Sequence, residues 1–532
     1  MKRRNFLQSS AAIAAGAAFA PQILGGMPVY AKSPTGILGE QALENDAILI
    51  IIQLFGGNDG LNTVIPAEDD NYYKLRPDIA VPKDKAKRYA NSNFFLHPAL
   101  VNNILVNKVD SGGFMGLLDT GRLAVIQGIG YENPNLSHFR STDIWLSGFN
   151  NSDPAVRLTD GWIGRYFSNR LTNFPIEIPD DPLCVQIGGT LSLAFQSEKG
   201  DMGIALTDPD AFFKLGQGLS PDEQFMDEKT AYANEFNYIR TIALESDKYS
   251  QVVKNAFDKG KNSFEYSQGF AQQMKLIARL ISGGLKSKVF MCSMGGFDTH
   301  VQQQNVDLTG NHPNLLAALS NGISQFIGDA LQQGFANRVV GMTVSEFGRR
   351  PSENGSRGTD HGAASVQFVF GTRVNGGVFG ENPNLAELNN NNDVKYQYDY
   401  RKVYADVLQT WFGASKEETR SLLNDPALVA LPVLQSPITG VTEMPDFPAQ
   451  ELLITPNPTS GNAEISFELS KQSDVEISIT DILGKNSEVV FNSILESGAQ
   501  RIPVELTFPS GSYFCTVKIS GRHLVGNIII ER

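Results

Sequence analysis

Cysteine is scarce: Cys184, Cys292 and Cys515 are the only three in 532 residues. Three scattered thiols build neither a disulfide framework nor a thiolate metal site. Basic charge is in deficit as well. Lys and Arg total 44 against 57 Asp and Glu, a formal net charge of −13. That balance argues against a nucleic-acid-binding surface. No apolar run approaches the roughly 18 residues that a membrane-spanning helix needs. The run "AAIAAGAAFA" at 11–20 is too short, so no transmembrane segment is expected in the mature chain. There are only six histidines, so their positions are informative.

The length points to two or more domains. At the start, "MKRRNFLQSS" places Arg3 and Arg4 ahead of the apolar run, and Val29-Tyr30-Ala31 offers a cleavage site. Residues 1–31 read as a twin-arginine export signal. From about 46 to 430, short apolar runs alternate with helical periodicity. Strands are expected at Ala47–Phe55, Arg122–Ile126, Lys288–Cys292, Arg338–Val344 and Gln367–Gly371. Their lack of alternation suggests a parallel sheet covered on both faces. The run "NLLAALSNGISQFIGDALQQ" carries apolar residues at three- and four-residue steps and reads as a covering helix. The expectation is a doubly wound α/β domain over 32–430, with a mostly helical insertion at about 205–285. Residues 431–450 are Pro-spaced and read as a linker. Residues 451–532 hold alternating strands separated by turns, the pattern of a small β-sandwich.

In an open parallel sheet, functional groups gather beyond the C-terminal strand ends. Here the first strand runs into "LFGGNDGLNT", with Asp59. The second leads to "NLSHFR", with Ser137 and His138 at a helix start. The third ends in "GGFDTH", with Asp298 and His300. The fourth ends in "SEFGRR", with Glu346, Arg349 and Arg350. Soon after comes "GTDHG", with Asp360 and His361. Carboxylate oxygen with imidazole nitrogen is a ligand mix for zinc, manganese or iron. One or two such ions would polarise an ester and activate a nucleophile. Ser137, at a helix N-terminus where anions are favoured, is placed to attack; a metal-bound water is the alternative. Singly, each residue has a plainer reading: Asp59 as a turn cap, Ser137 as an N-cap, Arg349 as a solvated loop residue. The joint placement carries the argument. His97 and His312 each precede a proline at a helix start and read as structural.

These motifs together resemble the domain-of-unknown-function 1501 branch of the alkaline phosphatase-like superfamily, over about residues 46–415. The resemblance implies a central mixed sheet and a metal-dependent hydrolase of phosphate or sulfate esters. Asp298, His300 and His361 would form one metal site, with Asp360 beside it. Asp59 and Glu346 would contribute to a second, with His138 supplying the nitrogen that Phe347 cannot. Ser137 falls where the nucleophile is expected, and Arg349 would steady developing charge. The Cys-x-Pro-x-Arg motif of formylglycine sulfatases is absent. The segments "ITPNPTSGNAEISFEL", "DVEISITDILGK" and "GSYFCTVKISG" resemble the type A sorting domain of the type IX secretion system, an Ig-like sandwich. Twin-arginine and type IX machinery would then be partners, carrying the chain through the periplasm to the cell surface or medium. The alternative is a non-catalytic surface or secreted binding protein that keeps the same fold.

Overall fold

The computed structural model describes residues 45–171, 174, 178–216, 230, 246–437, 452–469, 472–481, 487–519 and 522–532. The export signal, most of 217–245 in the expected insertion, and 438–450 of the expected linker lie outside them. The chain divides into two units, Met1–Thr439 and Gly440–Arg532.

The first unit is built on one mixed sheet. In chain order its described strands are β1 Ile48–Leu54, β2 Leu123–Gly130, β3 Cys184–Ile187, β4 Gly203–Leu206, β5 Val289–Met294, β6 Val339–Val344, β7 Ser365–Gly371, β8 Gly377–Phe379 and β9 Tyr398–Asp399. Their spatial order is β4-β3-β5-β1-β6-β7-β2-β8, with β9 also on β2. Both faces are buried, which is why β1 reads "ILIIIQL" without alternation. Ile48, Ile50, Ile52 and Leu54 enter one core, and Leu49 and Ile51 the other. Helix α3 (Phe270–Ser282) and helix α4 (Asn311–Gln332) cover the first face. Leu316, Leu319, Ile323, Phe326 and Ile327 form the buried stripe of α4. Burying each such side chain contributes about 1.5–3 kcal/mol before entropic costs. On the second face Tyr166, Tyr404, Leu408 and Trp411 pack, and Trp411 donates from Nε1 to the Ile48 carbonyl at 3.1 Å.

The expectation of a parallel sheet needs one correction. Strand β7 runs antiparallel to both β6 and β2. Its sequence, "SVQFVFG", is fully buried, and burial on two faces sets an apolar pattern whatever the strand direction. The reversal brings the start of β7 to the edge where β1, β2, β5 and β6 end. Just ahead of it lies a hairpin, Gly348–Glu353 paired with Thr359–Gly362, in which Arg349 stands opposite His361.

In the region expected to be a helical insertion, the described parts include helices at Pro209–Gly216, at 246–259 and at α3, beside strand β4. Residues 431–435 do not leave the α/β unit. Val433 and Leu434 donate their amides to Asp406 Oδ2 at 2.9 and 2.7 Å, and Leu434 bridges Val374.

The second unit holds two antiparallel sheets. One comprises Leu453–Thr455, Asn462–Leu469 and Gly498–Glu505; the other Ser473–Asp481, Ser487–Leu495, Gly511–Ile519 and Arg522–Ile530. Ile465, Val475, Ile477, Cys515 and Val517 lie in the core between them.

Candidate metal centre

The turn after β1 is glycine because its neighbours leave no room for a side chain. Gly56 holds φ at 123°, and a Cβ there would lie 2.2 Å from the Asp298 amide nitrogen. Gly57, at φ 81°, would drive a Cβ to 2.5 Å from the Phe347 ring. Both conformations strain any residue with a side chain. The turn therefore lets the Asp298 loop and Phe347 close against the end of β1.

Asp59 caps helix α1 (Gly60–Thr63), accepting from the Leu61 amide at 3.2 Å. The rest of its carboxylate is spent on a buried network. Arg76 donates to Oδ2 at 2.6 Å and to Oδ1 at 2.9 Å, and Gln303 Nε2 donates to Oδ2 at 2.5 Å. Burial alone would raise the Asp59 pKa, but the Arg76 charge and hydrogen bonds outweigh it and hold the carboxyl below its ordinary range. Asp59, expected at a metal site, here has its carboxylate taken up by Arg76, Gln303 and the Leu61 amide, where it acts as a brace. Gln303 Oε1 accepts from Thr299 and Thr359 at 2.9 and 2.7 Å. The network thus ties β1 to the two loops that carry Asp298, His300, Asp360 and His361.

Four side chains converge above this brace. Asp298 Oδ1 has His300 Nε2 at 3.1 Å, His361 Nε2 at 3.4 Å and His138 Nε2 at 3.6 Å. His300 and His361 face each other, Nε2 to Nε2, at 2.9 Å. His138, Asp298 and His361 offer ligand atoms all within 4.8 Å of one another. His138 is the first residue of helix α2 (His138–Ser147).

The far nitrogen of each ring meets an oxygen. His138 Nδ1 lies 2.8 Å from Glu346 Oε1, His300 Nδ1 3.2 Å from Asp360 Oδ1, and His361 Nδ1 2.9 Å from the Leu136 carbonyl. Carbonyls and ionised carboxylates only accept. Each Nδ1 therefore carries a proton, and in its neutral form each ring would turn an Nε2 lone pair towards Asp298. Tetrahedral zinc bonds N and O at about 2.0–2.1 Å, which sets its ligand atoms about 3.3–3.4 Å apart. The separations from Asp298 Oδ1, 3.1 to 3.6 Å, lie around that value. The triad His138, Asp298 and His361 fits a divalent ion, with His300 beside it against His361 and Asp298.

The electrostatics agree with that fit. Partial burial opposes ionisation of Asp298, yet Arg349, His300 and His138 together bring its pKa below the ordinary value. The Asn354 amide, with His300 and Arg350 behind it, lowers Asp360. Burial lowers His361, against the pull of the Leu136 carbonyl. Acids held ionised and a ring held neutral are the protonation states that a cation requires.

Two further residues are fixed by hydrogen bonds of their own. Glu346 holds His138, and its Oε1 also accepts from the Gly56 amide at 2.7 Å; its Oε2 is buried without a hydrogen-bond partner. It stands behind His138. Arg349, expected to steady a substrate anion, is buried. It donates to the carbonyls of Gly57, Thr359, Gly56 and Phe297 and to Asp298 Oδ1 at 2.7 Å. Its donors are committed, so it clamps the loops and positions Asp298. Ser137 is exposed at the N-cap of α2, and its hydroxyl makes no capping bond.

Sequence reasoning missed Arg76, Gln303, Asn354 and the Leu136 carbonyl, because hydrogen bonds between loops leave no periodic signal. It also took Phe347 only as a lost ligand. The Phe347 ring lies 4.4 Å from that of His361 and 4.9 Å from that of His138, packing against both. His97 and His312 are buried outside the cluster, bonded to Gln304 and Asn58.

Residues 222–423 match the family described as protein of unknown function DUF1501, and residues 453–531 match the secretion system C-terminal sorting domain. The sorting domain indicates export to the cell surface or extracellular space. No curated protein matches the chain. Among solved structures, the PsFucS1 sulfatase from Pseudoalteromonas sp. aligns over 88% of this chain and 85% of its own, at 9% identity and a TM-score of 0.28.

Proposed function

We propose that this chain, with its DUF1501 region and its secretion sorting domain, is an exported one-metal hydrolase of phosphate or sulfate esters. One observation carries the reading: three imidazoles, each anchored at Nδ1, turn Nε2 towards Asp298 Oδ1. His138, Asp298, His300 and His361 would hold a divalent ion such as zinc or manganese. Such an ion supplies Lewis acidity to an ester oxygen and acidifies water.

The chain's own residues do the remainder. Glu346 and Asp360 fix the tautomers of His138 and His300. Arg349 orients Asp298 and favours its ionised form. The first turn of α2 has amides without intrahelical acceptors, and the helix dipole adds positive potential there; both suit a tetrahedral anion. The Ser137 hydroxyl stands at that helix end as the nucleophile. The ester class comes from the motif resemblance. The reading takes one ion: both Asp59 oxygens are bound by Arg76 and Gln303, while Glu346 Oε1 holds His138. The twin-arginine step comes from residues 1–31 of the sequence.

One feature favours the non-catalytic alternative. With His300 added to the triad, four protein ligands around one ion would make a closed set, as in structural sites. An exported binding protein with a structural ion would show the same cluster.

Zinc- or manganese-loaded full chain, assayed on 4-nitrophenyl phosphate and 4-nitrophenyl sulfate, separates the two. Turnover lost in both Ser137→Ala and His361→Ala supports the hydrolase. A bound ion without turnover on either ester supports the binding protein.

A further inference from the structure

Two exposed apolar side chains adjoin candidate ligands in sequence, and a third sets its ring near one of them. Phe55 precedes the Gly56-Gly57 turn, is 41% exposed, and sets its ring 5.7 Å from that of His138. Phe139 follows His138 in the first turn of α2 and is 82% exposed. Val301 follows His300 and is 62% exposed. Scattered single hydrophobics on a surface need no explanation. These three flank the turn after β1, the start of α2 and the end of the Asp298 loop, the elements that supply or close on the cluster. Phe139 exposes most of its ring where Arg140, next along the helix, is committed to the carbonyls of Val156, Asn151 and Asp153. An apolar margin beside a cation centre is complementary to a ligand with an anionic head and a flat apolar body.

We infer that the substrate is the phosphate or sulfate ester of an aromatic alcohol, its ring received by Phe55 and Phe139, with Val301 completing the apolar margin. This rests on the ester-hydrolase reading. The anionic head lies towards His138, Asp298, His300 and His361 and the N-terminus of α2. The aromatic body lies over the two phenylalanines. These two side chains set specificity and take no part in bond breaking. Neither is needed to hold the ion, so removing either ring changes the preference among ligands and leaves metal binding intact.

Binding of two phosphonates to the zinc-loaded full chain, followed by calorimetry, tests the inference without turnover. Phenylphosphonate is expected to bind about tenfold more tightly than methylphosphonate, the scale of one well-packed aromatic contact. Phe139→Ala, which changes a highly exposed residue, should erase most of that preference and leave methylphosphonate affinity unchanged. Phe55→Ala should act in the same direction. Equal affinity for the two phosphonates, or a preference untouched by both variants, overturns the inference and leaves the ester-hydrolase reading standing. Failure of both phosphonates to bind the metal-loaded chain overturns both.

Discussion

His300 and His361 present Nε2 to Nε2 at 2.9 Å, with Asp298 Oδ1 3.1 Å from the first and 3.4 Å from the second. Two neutral imidazoles in that pose bring lone pairs together unless a proton or a cation lies between them. Their Nδ1 atoms are already committed, to Asp360 and to the Leu136 carbonyl. A shared cation, as proposed above, would resolve the conflict for both rings and for Asp298. Protonating one ring would resolve it for a single pair only.

Glu346→Gln should weaken metal binding by about 10- to 100-fold, the range for residues that orient a ligating histidine. The amide can still meet His138 Nδ1 through its oxygen but no longer offers a charged acceptor. Competition with a chelating dye reads the affinity. Asp360→Asn should act in the same way through His300. An unchanged affinity in both variants would mean that the acids do not set the ligand tautomers.

Asp59→Ala should destabilise the α/β unit by about 3–5 kcal/mol, because it leaves Arg76 buried without its partner. Both side chains are fully buried in the pair. The first melting transition reports the loss. A variant that melts with the wild type would show that the network carries no stability. Asp59→Ala should also weaken metal binding, since Gln303 passes the brace on to Thr299 and Thr359.

Stability should fall in mild acid for a reason outside the cluster. Burial lowers His97 to about 4 and His312 to about 3, from an ordinary value of 6.5. Above pH 6.5 neither the folded nor the unfolded chain protonates these rings, and the stability of the neutral pair is complete. As pH falls from 6.5 towards about 4 for His97 and about 3 for His312, the unfolded chain gains protons that the fold refuses. The shift at His97 corresponds to on the order of 3 kcal/mol. Denaturant midpoints measured from pH 7.5 to 4.5 should decline, and less steeply in a His97→Gln/His312→Gln variant. An identical decline in that variant would place the acid sensitivity elsewhere.

Much of the fold is legible in the sequence because burial writes itself into apolar pattern. "AILIII" announces a strand covered on both faces, and β1 is one. The direction of β7 is not legible, since "SVQFVFG" would be equally apolar in a parallel strand. The gathering of His138, Asp298, His300 and His361 follows from the rule that strand ends share an edge, and their spacing marks them. The roles of Asp59, Arg349 and Glu346 are not legible. Their partners, Arg76, the backbone carbonyls and His138, lie on other segments of the chain. An acid in "GGNDG" looks the same whether it binds an ion or braces an arginine.

The most direct test is metal content. Full chain dialysed against micromolar zinc and then buffer, and analysed by plasma mass spectrometry, should hold one ion per chain. A folded His300→Ala/His361→Ala variant should hold less than about a tenth of that, because it loses two of four ligands. A folded wild-type chain that retains no ion, or a variant that retains as much as the wild type, would contradict the account.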